Sequence, residues 1–178
     1  MTEKALFLDR DGIINIDTGY IHTVEAFTFM PGIFRLCHLF AKHDYRIFVV
    51  TNQSGIGRGY YKASDFHTLT AWMVEVFQAE GITIAGVYHC PHTPDKKCHC
   101  RKPNTGMVEA ALQDYPALSL KRSWMVGDKQ SDIDLAHNSG IGHTIAIGKN
   151  ALHHATYQFE TIEACVAFLE ENEDKIAL

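Results

Sequence analysis

The sequence predicts one α/β domain in which a doubly wound, Rossmann-like parallel sheet is covered by helices on both faces. Short runs rich in β-branched and aromatic residues alternate with segments whose apolar residues recur at helical spacing. Strands that alternate with helices are joined by right-handed crossovers, which makes the strands parallel. The composition agrees, because 178 residues that are 46% hydrophobic and 21% charged can bury a substantial core as a single domain, 1–178.

The strands of this sheet are predicted at five apolar runs. In chain order these are ALFL (5–8), RIFVVT (46–51), AGVYHC (85–90), SWMV (123–126) and HTIAI (143–147). Each run is short, and the residues that directly follow the five runs are Asp9, Asn52, Pro91, Gly127 and Gly148, which are typical of a buried strand that ends in a turn.

Five helices are predicted between and after these strands. The first covers 31–44 with Pro31 at its first position, and the second runs from a capping Ser64 to Gly81. The remaining three are predicted at 105–114, from Ser131 to Gly140, and after a capping Thr161. Cys37 and Cys165 fall on apolar helical positions and are expected to pack in the core.

The net charge and the N-terminal residues indicate which kinds of partner and which compartment to expect. A net charge of −5 argues against nucleic acid or an anionic membrane. The stretch MTEKALFLDRDG lacks the apolar core of a signal peptide, and no apolar run approaches membrane-spanning length. We therefore expect a cytoplasmic protein that binds neither nucleic acid nor membrane. Separately, we expect a monomer whose partner is a small molecule.

Two aspartates directly follow the first predicted strand, in KALFLDRDGI (4–13). Asp-Gly is ordinary turn chemistry, so this pair alone indicates only a solvated turn. Open parallel sheets, however, bind ligands at the carboxyl ends of their strands. Polar residues also follow the later strands: Thr51 to Ser54 after the second, Arg101 and Lys102 beyond a cysteine-rich loop after the third, and Asp128 after the fourth. Asp132, one helical turn after Asp128, is expected to be a partner of Lys102 or of metal-bound water.

Together these residues predict phosphoryl transfer. The carboxylates of Asp9, Asp11 and Asp128 would repel one another without a cation, and oxygen ligands favour Mg²⁺. Thr51 alone is a strand-end hydroxyl and Lys102 alone a surface charge, but at this edge both would stabilise an anionic phosphoryl group. Asp9 is then the nucleophile that forms an aspartyl-phosphate, and Asp11 is the general acid and base.

The loop HCPHTPDKKCHCRKP carries a second group of ligands, at Cys90, His92, Cys98 and Cys100. In a cytoplasmic chain this clustering indicates metal rather than disulfides. Four such ligands leave no open position, which predicts a structural Zn²⁺ that stiffens the loop 90–103 and presents Arg101 and Lys102. A reduced loop without metal is the alternative.

The motifs DRDG, VVTNQSG, CRKP and MVGDKQSD, in this order, resemble those of the haloacid dehalogenase superfamily of aspartate-dependent phosphatases. The resemblance covers residues 4–148 and implies the roles given above, with the backbone carbonyl of Asp11 as a further ligand of Mg²⁺. Many members carry an inserted cap domain. Here predicted elements fill the intervals from Asp9 to Thr51 and from Thr51 to Lys102, so we expect a fold without a cap.

A zinc loop without a cap resembles the branch of heptose-bisphosphate and histidinol-phosphate phosphatases. DGIINIDTGYIH, TNQSGIGRGYY and CRKPNTGM resemble the heptose enzymes more closely, which implies removal of the C7 phosphate of a heptose 1,7-bisphosphate during lipopolysaccharide precursor synthesis. The resemblance also implies substrate contacts at Asp17, Thr18, Gly19, Tyr20, Thr51, Asn52, Gln53, Ser54, Arg101, Lys102 and Lys129. The short spacer between His92 and Cys98 is usual in the histidinol-phosphate enzymes, which keeps that substrate as the alternative.

Two classes without this activity share parts of the pattern. A phosphorylated receiver module has a similar fold and acid pocket, but its phosphoacceptor follows the third strand, where this chain has Cys90 and Pro91. A zinc-containing nucleic-acid module would use Arg101 and Lys102 on phosphates, which the net charge of −5 and the acids of the crevice oppose. Turnover of p-nitrophenyl phosphate with Mg²⁺ distinguishes the enzyme from both.

Overall fold

The computed structural model describes residues 2–177, in which six parallel strands form a single sheet. Their bounds are β1 Lys4–Leu8, β2 Tyr45–Asn52, β3 Ile84–Cys90, β4 Trp124–Gly127, β5 His143–Ile147 and β6 Tyr157–Phe159. The order across the sheet is β3-β2-β1-β4-β5-β6. The winding therefore reverses at β1, between β2 and β4, and this is where an open parallel sheet forms its ligand crevice. Met1 and Leu178 of the predicted domain lie outside the described residues.

All five predicted strands are present to within about one residue at each end, and the sixth was missed. Strand β6 is three residues long and its side chains are half-buried or exposed. It pairs with β5 through Ile145 and Tyr157 at the edge of the sheet. Such a short edge strand has no continuous apolar run by which a sequence pattern could identify it.

Six α-helices connect and cover the strands of residues 2–177. They are α1 Ile33–Lys42, α2 Ser54–Gly57, α3 Ala63–Ala79, α4 Gly106–Asp114, α5 Gln130–Ser139 and α6 Ile162–Glu171. The predicted cap at Thr161 is confirmed, since its Oγ1 accepts a hydrogen bond from the Ala164 N–H at 3.1 Å. The short helix α2, directly after β2, was not predicted.

Three predicted helix starts were wrong. Helix α1 begins after Gly32, whose φ of 88° is left-handed, so Pro31 precedes the helix. Ser64, the predicted cap of α3, lies inside the first turn of that helix, and α5 begins at Gln130, one residue before Ser131. In both helices the acid at the third helical position accepts an N–H group at the start of the helix, Asp65 from Lys62 and Asp132 from Lys129.

Alternate residues of the strands pack into two apolar layers, one on each face of the sheet. Leu6 and Leu8 of β1 face a layer formed with α1, α3 and α6, whereas Ala5 and Phe7 face one formed with α4 and α5. Cys37 and Cys165 are fully buried in the first layer, which confirms their predicted packing. The two layers cover both faces of the sheet and leave its carboxyl edge open. Within residues 2–177, each helix is too short or too polar to cross a bilayer.

Candidate active site

A cavity of about 350 Å³ opens at the carboxyl ends of the strands, where the winding reverses. Most of the predicted site residues form its wall. They are Asp9, Asp11, Asp17, Gly19, Tyr20, Asn52, Gln53, Ser54, Arg101, Lys102 and Lys129, joined by Gly55, Tyr61 and Ser131, which were not predicted. Thr18 is exposed outside this wall, and Thr51 is fully buried behind it.

Lys102 joins two of the aspartates at the floor of the cavity. Its Nζ lies 2.8 Å from Asp9 Oδ1, 2.8 Å from Asp132 Oδ1 and 2.9 Å from the Val50 carbonyl oxygen. Burial works to lower the pKa of Lys102, but the charges of Asp132 and Asp9 outweigh it and raise the value. Lys102 therefore stays protonated at neutral pH, and the predicted pairing of Asp132 with Lys102 is present.

The floor still carries more negative than positive charge. Burial raises the pKa of Asp9 well above its usual range, and the neighbouring charges of Asp132 and Asp128 add to this, whereas Lys102 opposes it. Burial and Asp132 also raise the pKa of Asp128. Such shifts arise when carboxylates are packed together without enough cations.

This arrangement fits a divalent cation with oxygen ligands. Carboxylate oxygens of Asp9, Asp128 and Asp132 lie within 4.8 Å of one another. Asp128 Oδ1 is buried and finds no hydrogen-bond partner in residues 2–177. Asp132 is already committed, because its Oδ2 accepts the N–H groups of Asp128 and Lys129 and its Oδ1 pairs with Lys102. Asp9 Oδ1 accepts from Lys102 Nζ and from the Arg10 N–H, so Asp9 Oδ2 and Asp128 Oδ1 are the oxygens available to hold Mg²⁺.

The carboxylate of Asp11 has separate partners. Arg10 Nη2 donates to Asp11 Oδ1 at 2.9 Å and to Oδ2 at 3.1 Å. Asn15 Nδ2 donates to Oδ1 and Gln53 Nε2 to Oδ2, both at 3.0 Å. Adjacent acids of one motif thus occupy different environments, Asp9 beside Lys102 and Asp11 beside Arg10.

Gln53 connects Asp11 to the buried Thr51. Its Nε2 donates to Thr51 Oγ1 at 2.9 Å as well as to Asp11, and its Oε1 accepts from the Tyr61 hydroxyl. Burial raises the pKa of Tyr61 to about 12, so that hydroxyl stays a donor. Because Tyr61 donates to Oε1, the orientation of the Gln53 amide is fixed.

Three charged side chains line the outer wall of the cavity. Lys129 Nζ lies 3.6 Å from Asp17 Oδ2, and Asp17 Oδ1 accepts the Gly19 N–H at 2.9 Å. Arg101 lines the wall with a guanidinium whose Nη1 is buried and finds no hydrogen-bond partner among the described residues. Arg58, which could have added a further positive charge, is exposed outside the wall.

The four predicted zinc ligands converge on one point. Cys90 Sγ lies 2.7 Å from Cys100 Sγ and 3.4 Å from Cys98 Sγ, and His92 Nδ1 lies 3.3 Å from Cys100 Sγ. His99, which lies between Cys98 and Cys100, turns away from this point, with its Nε2 2.7 Å from Glu109 Oε2. Sulfur and imidazole ligands at this spacing fit a tetrahedral Zn²⁺ better than disulfides.

The sequence reasoning missed Arg10, Asn15 and Tyr61. Arg10 is only 1% exposed and Asn15 is fully buried, whereas both residue types are ordinarily exposed. The available signal was the position of Arg10 between the two acids of DRDG. An arginine there can only be solvated or paired with one of them.

Curated relatives cover nearly all of the chain. It is 42% identical over 174 residues to D-glycero-alpha-D-manno-heptose-1,7-bisphosphate 7-phosphatase of Campylobacter jejuni, an alignment covering 97% of this chain and 99% of that protein. It is 39% identical over 172 residues to D-glycero-beta-D-manno-heptose-1,7-bisphosphate 7-phosphatase of Helicobacter pylori, covering 95% and 98%. The family described as HAD-hydrolase-like matches residues 99–163.

Solved structures share the fold. A HAD-like phosphatase from Mesorhizobium loti superposes with a TM-score of 0.81 at 30% identity, covering 96% of this chain and 87% of that one. D,D-heptose 1,7-bisphosphate phosphatase from B. bronchiseptica, complexed with magnesium and phosphate, superposes with a TM-score of 0.83 at 24% identity, covering 96% and 99%.

Proposed function

Because the chain belongs to the heptose-1,7-bisphosphate 7-phosphatase family of haloacid dehalogenase-like hydrolases, we propose that it removes the C7 phosphate of D-glycero-D-manno-heptose 1,7-bisphosphate through an aspartyl-phosphate. The observation that carries this proposal is the separation of the two acids of one motif. Asp9 pairs with Lys102, whereas Asp11 is held by Arg10, Asn15 and Gln53. Two carboxylates in different environments can divide nucleophile from acid and base.

In this mechanism Asp9 attacks the phosphorus of the C7 phosphate, and Asp11 protonates the departing sugar oxygen. Asp11 then takes a proton from the water that cleaves the aspartyl-phosphate. Lys102 offsets the charge of the phosphoryl oxygens, whereas Thr51, expected to donate its hydroxyl to them, lies behind the wall and accepts from Gln53 Nε2. Asp9, Asp128 and the Asp11 carbonyl would hold Mg²⁺, which supplies the positive charge that the floor lacks.

The zinc loop acts through the position of Lys102. Cys98 and Cys100 directly precede Arg101 and Lys102 in the chain. A structural Zn²⁺ on the four ligands would fix the backbone that carries both basic side chains. Thiolate ligands need a reducing compartment, which supports the cytoplasm as the place of the reaction.

The charge of the outer wall supports a bisphosphate over histidinol phosphate. Arg101 presents a guanidinium fork, which suits a second phosphate. A cationic amine would require free acids instead. Asp17 is already paired with Lys129, and Glu25 is exposed outside the wall.

The test follows phosphorus by ³¹P NMR with Mg²⁺ present. With the heptose 1,7-bisphosphate, the C7 phosphate signal should convert to inorganic phosphate while the C1 phosphate remains. Arg101→Ala should lower kcat/KM for the bisphosphate at least tenfold and leave p-nitrophenyl phosphate turnover within about twofold, because a lost charged hydrogen bond is worth ~1.5–3 kcal/mol. Arg58→Ala, which alters an exposed arginine, is the matched control. A higher kcat/KM for histidinol phosphate would refute the substrate.

A further inference from the structure

We propose that Arg10 is a positioning residue that couples the loop 13–30 to the carboxylate of Asp11. A single nitrogen, Arg10 Nη2, donates to Asp11 Oδ1 at 2.9 Å and to the Ile21 carbonyl oxygen at 2.7 Å. The residues just before Ile21 line the cavity, among them Asp17 and Tyr20. One guanidinium therefore joins the segment that faces the substrate to the acid and base. The inference rests on the proposed function of Asp11.

Arg10 acts through Asp11 and does not itself reach the cavity. It is 1% exposed and lies behind the described residues that form the cavity wall. Its guanidinium carbon lies 5.9 Å from the ring centres of Phe27 and Phe66, one from the loop and one from α3. Its Nε and Nη1 find no acceptor within residues 2–177. A buried cation needs a compensating charge, so the ion pair with Asp11 fixes both side chains.

A second route joins the same loop to the same carboxylate. His22 Nδ1 donates to the Tyr20 carbonyl oxygen at 2.8 Å, and the His22 ring stacks on Tyr61 at 4.9 Å between ring centres. The Tyr61 hydroxyl donates to Gln53, which donates to Asp11 Oδ2. Both oxygens of Asp11 are thus connected to the loop, one side through Arg10 and the other through Gln53. Contacts of the substrate with the loop can in this way be used to orient Asp11 in the transition state.

The test uses Arg10→Met, which keeps a long apolar side chain between the two phenylalanines and removes the bridge. With the heptose bisphosphate, kcat should fall roughly 10²-fold, the lower end of a general acid and base contribution. KM should change little, because Arg10 does not line the cavity. Arg10→Lys keeps the positive charge on a shorter side chain, and its kcat should lie between those of the wild type and Arg10→Met.

Rapid-quench kinetics with p-nitrophenyl phosphate distinguish positioning from a merely structural role. p-Nitrophenolate leaves without protonation, so the first step should survive in Arg10→Met. Cleavage of the aspartyl-phosphate still needs Asp11 as base and should become slow. The expected signature is a burst of p-nitrophenolate close to one per enzyme, followed by slow turnover.

Met73→Ala is the matched structural control, because Met73 is fully buried in the core and its loss lowers stability without touching Arg10. Met73→Ala should give no burst of p-nitrophenolate even where its Tm falls as far as that of Arg10→Met. The inference is overturned if Arg10→Met and Arg10→Lys both turn over without a burst, or if Met73→Ala produces one. A wild type that never forms a phosphorylated Asp9 would instead overturn the proposed function.

Discussion

The side-chain amide of Asn52 holds the backbone of Lys102 from both sides. Its Oδ1 accepts the Lys102 N–H at 3.0 Å, and its Nδ2 lies 3.4 Å from the Lys102 carbonyl oxygen. The end of β2 is thereby tied to the end of the zinc loop, fifty positions later in the chain. Asn52 was predicted to contact substrate, and it lines the cavity, but its amide is also occupied in placing the lysine.

Replacing Asn52 with alanine should therefore impair catalysis through Lys102. We expect kcat to fall about 30-fold, since two hydrogen bonds of ~1 kcal/mol each are lost at the site and about 1.4 kcal/mol is a factor of ten in rate. Zinc content should stay at one equivalent. Asn138→Ala removes an exposed hydrogen bond to the neighbouring Pro103 carbonyl and should leave kcat within about twofold. Steady-state kinetics of both variants check this, and equal losses would contradict the role of Asn52.

Replacing the two acids of DRDG should affect turnover in different ways. Asp9→Asn removes the nucleophile and should abolish turnover. Asp11→Asn should slow turnover by ~10²–10⁴-fold and accumulate phosphorylated Asp9, because the acid and base is lost while the nucleophile remains. Intact-protein mass spectrometry after rapid quenching measures the phosphorylated form. Asp134→Asn, on α5, is the control, and an active Asp9→Asn variant would exclude the mechanism.

Zinc should be bound in one equivalent and contribute to stability. Cys98→Ser should lower zinc content below stoichiometry and lower Tm, because a structural metal adds its binding free energy to folding. Cys37→Ala is the matched control, since this buried thiol lies in the core away from the loop. It should lower Tm through lost packing while zinc stays at one equivalent. Elemental analysis that finds no zinc in the wild type would refute the site.

Magnesium should leave more readily than zinc. Brief treatment with EDTA should stop turnover, and added Mg²⁺ should restore it, because few protein groups hold this ion. The circular dichroism spectrum and zinc content should stay unchanged, since the core does not depend on the floor of the cavity. Turnover that persists in EDTA would argue against a role for Mg²⁺.

His143 should titrate below its usual range. Burial lowers the pKa of His143, whose ring stacks on Trp124 at 4.6 Å between ring centres. A depressed pKa in the folded protein means that the unfolded chain binds more protons, so this contribution to stability is lost as pH falls below about 6.5. A protonated imidazole also quenches indole emission. The fluorescence of Trp124 in a Trp72→Phe background should therefore report a midpoint below about 6.5.

The variant His143→Phe keeps the aromatic stack and removes the titration. Its Tm should fall less than that of the wild type between pH 7.5 and pH 5.5. His38→Phe, at an exposed position on α1, should keep the wild-type slope. A midpoint above the usual histidine range would contradict the assignment.

The features that could be predicted from the sequence are those that depend on residues close to one another in the chain or on the general geometry of parallel sheets. Apolar runs and helical spacing are local, and they identified all the strands except β6, which is short and lies at the edge. The placement of Asp9, Lys102 and Asp128 follows from the rule that parallel strands share a carboxyl edge. The predicted cap at Ser64 was wrong, because the acceptor at the start of α3 is Asp65, which lies one residue further inside the helix.

The site residues that were not predicted owe their roles to contacts between segments that are distant in the sequence. Whether Arg10 turns to solvent or to Asp11 is decided by Phe27 and Phe66, which approach it from distant segments. Tyr61 reaches Gln53 only because α2 folds the chain back directly after β2. No spacing in the sequence encodes either approach.

The central position of β1 has a consequence for synthesis of the chain. Its second edge is closed by β4, which pairs Leu6 with Trp124, and the N–H of Asp9 is fixed by the Val126 carbonyl at 3.1 Å. A nascent chain that has not yet released residues 124–127 from the ribosome therefore exposes unpaired N–H and C=O groups along one edge of β1, whose residues 5–8 are all apolar. Until those residues emerge, the first strand to be made is open to association with other chains, and Asp9, the proposed nucleophile that follows it, lacks the hydrogen bond to Val126.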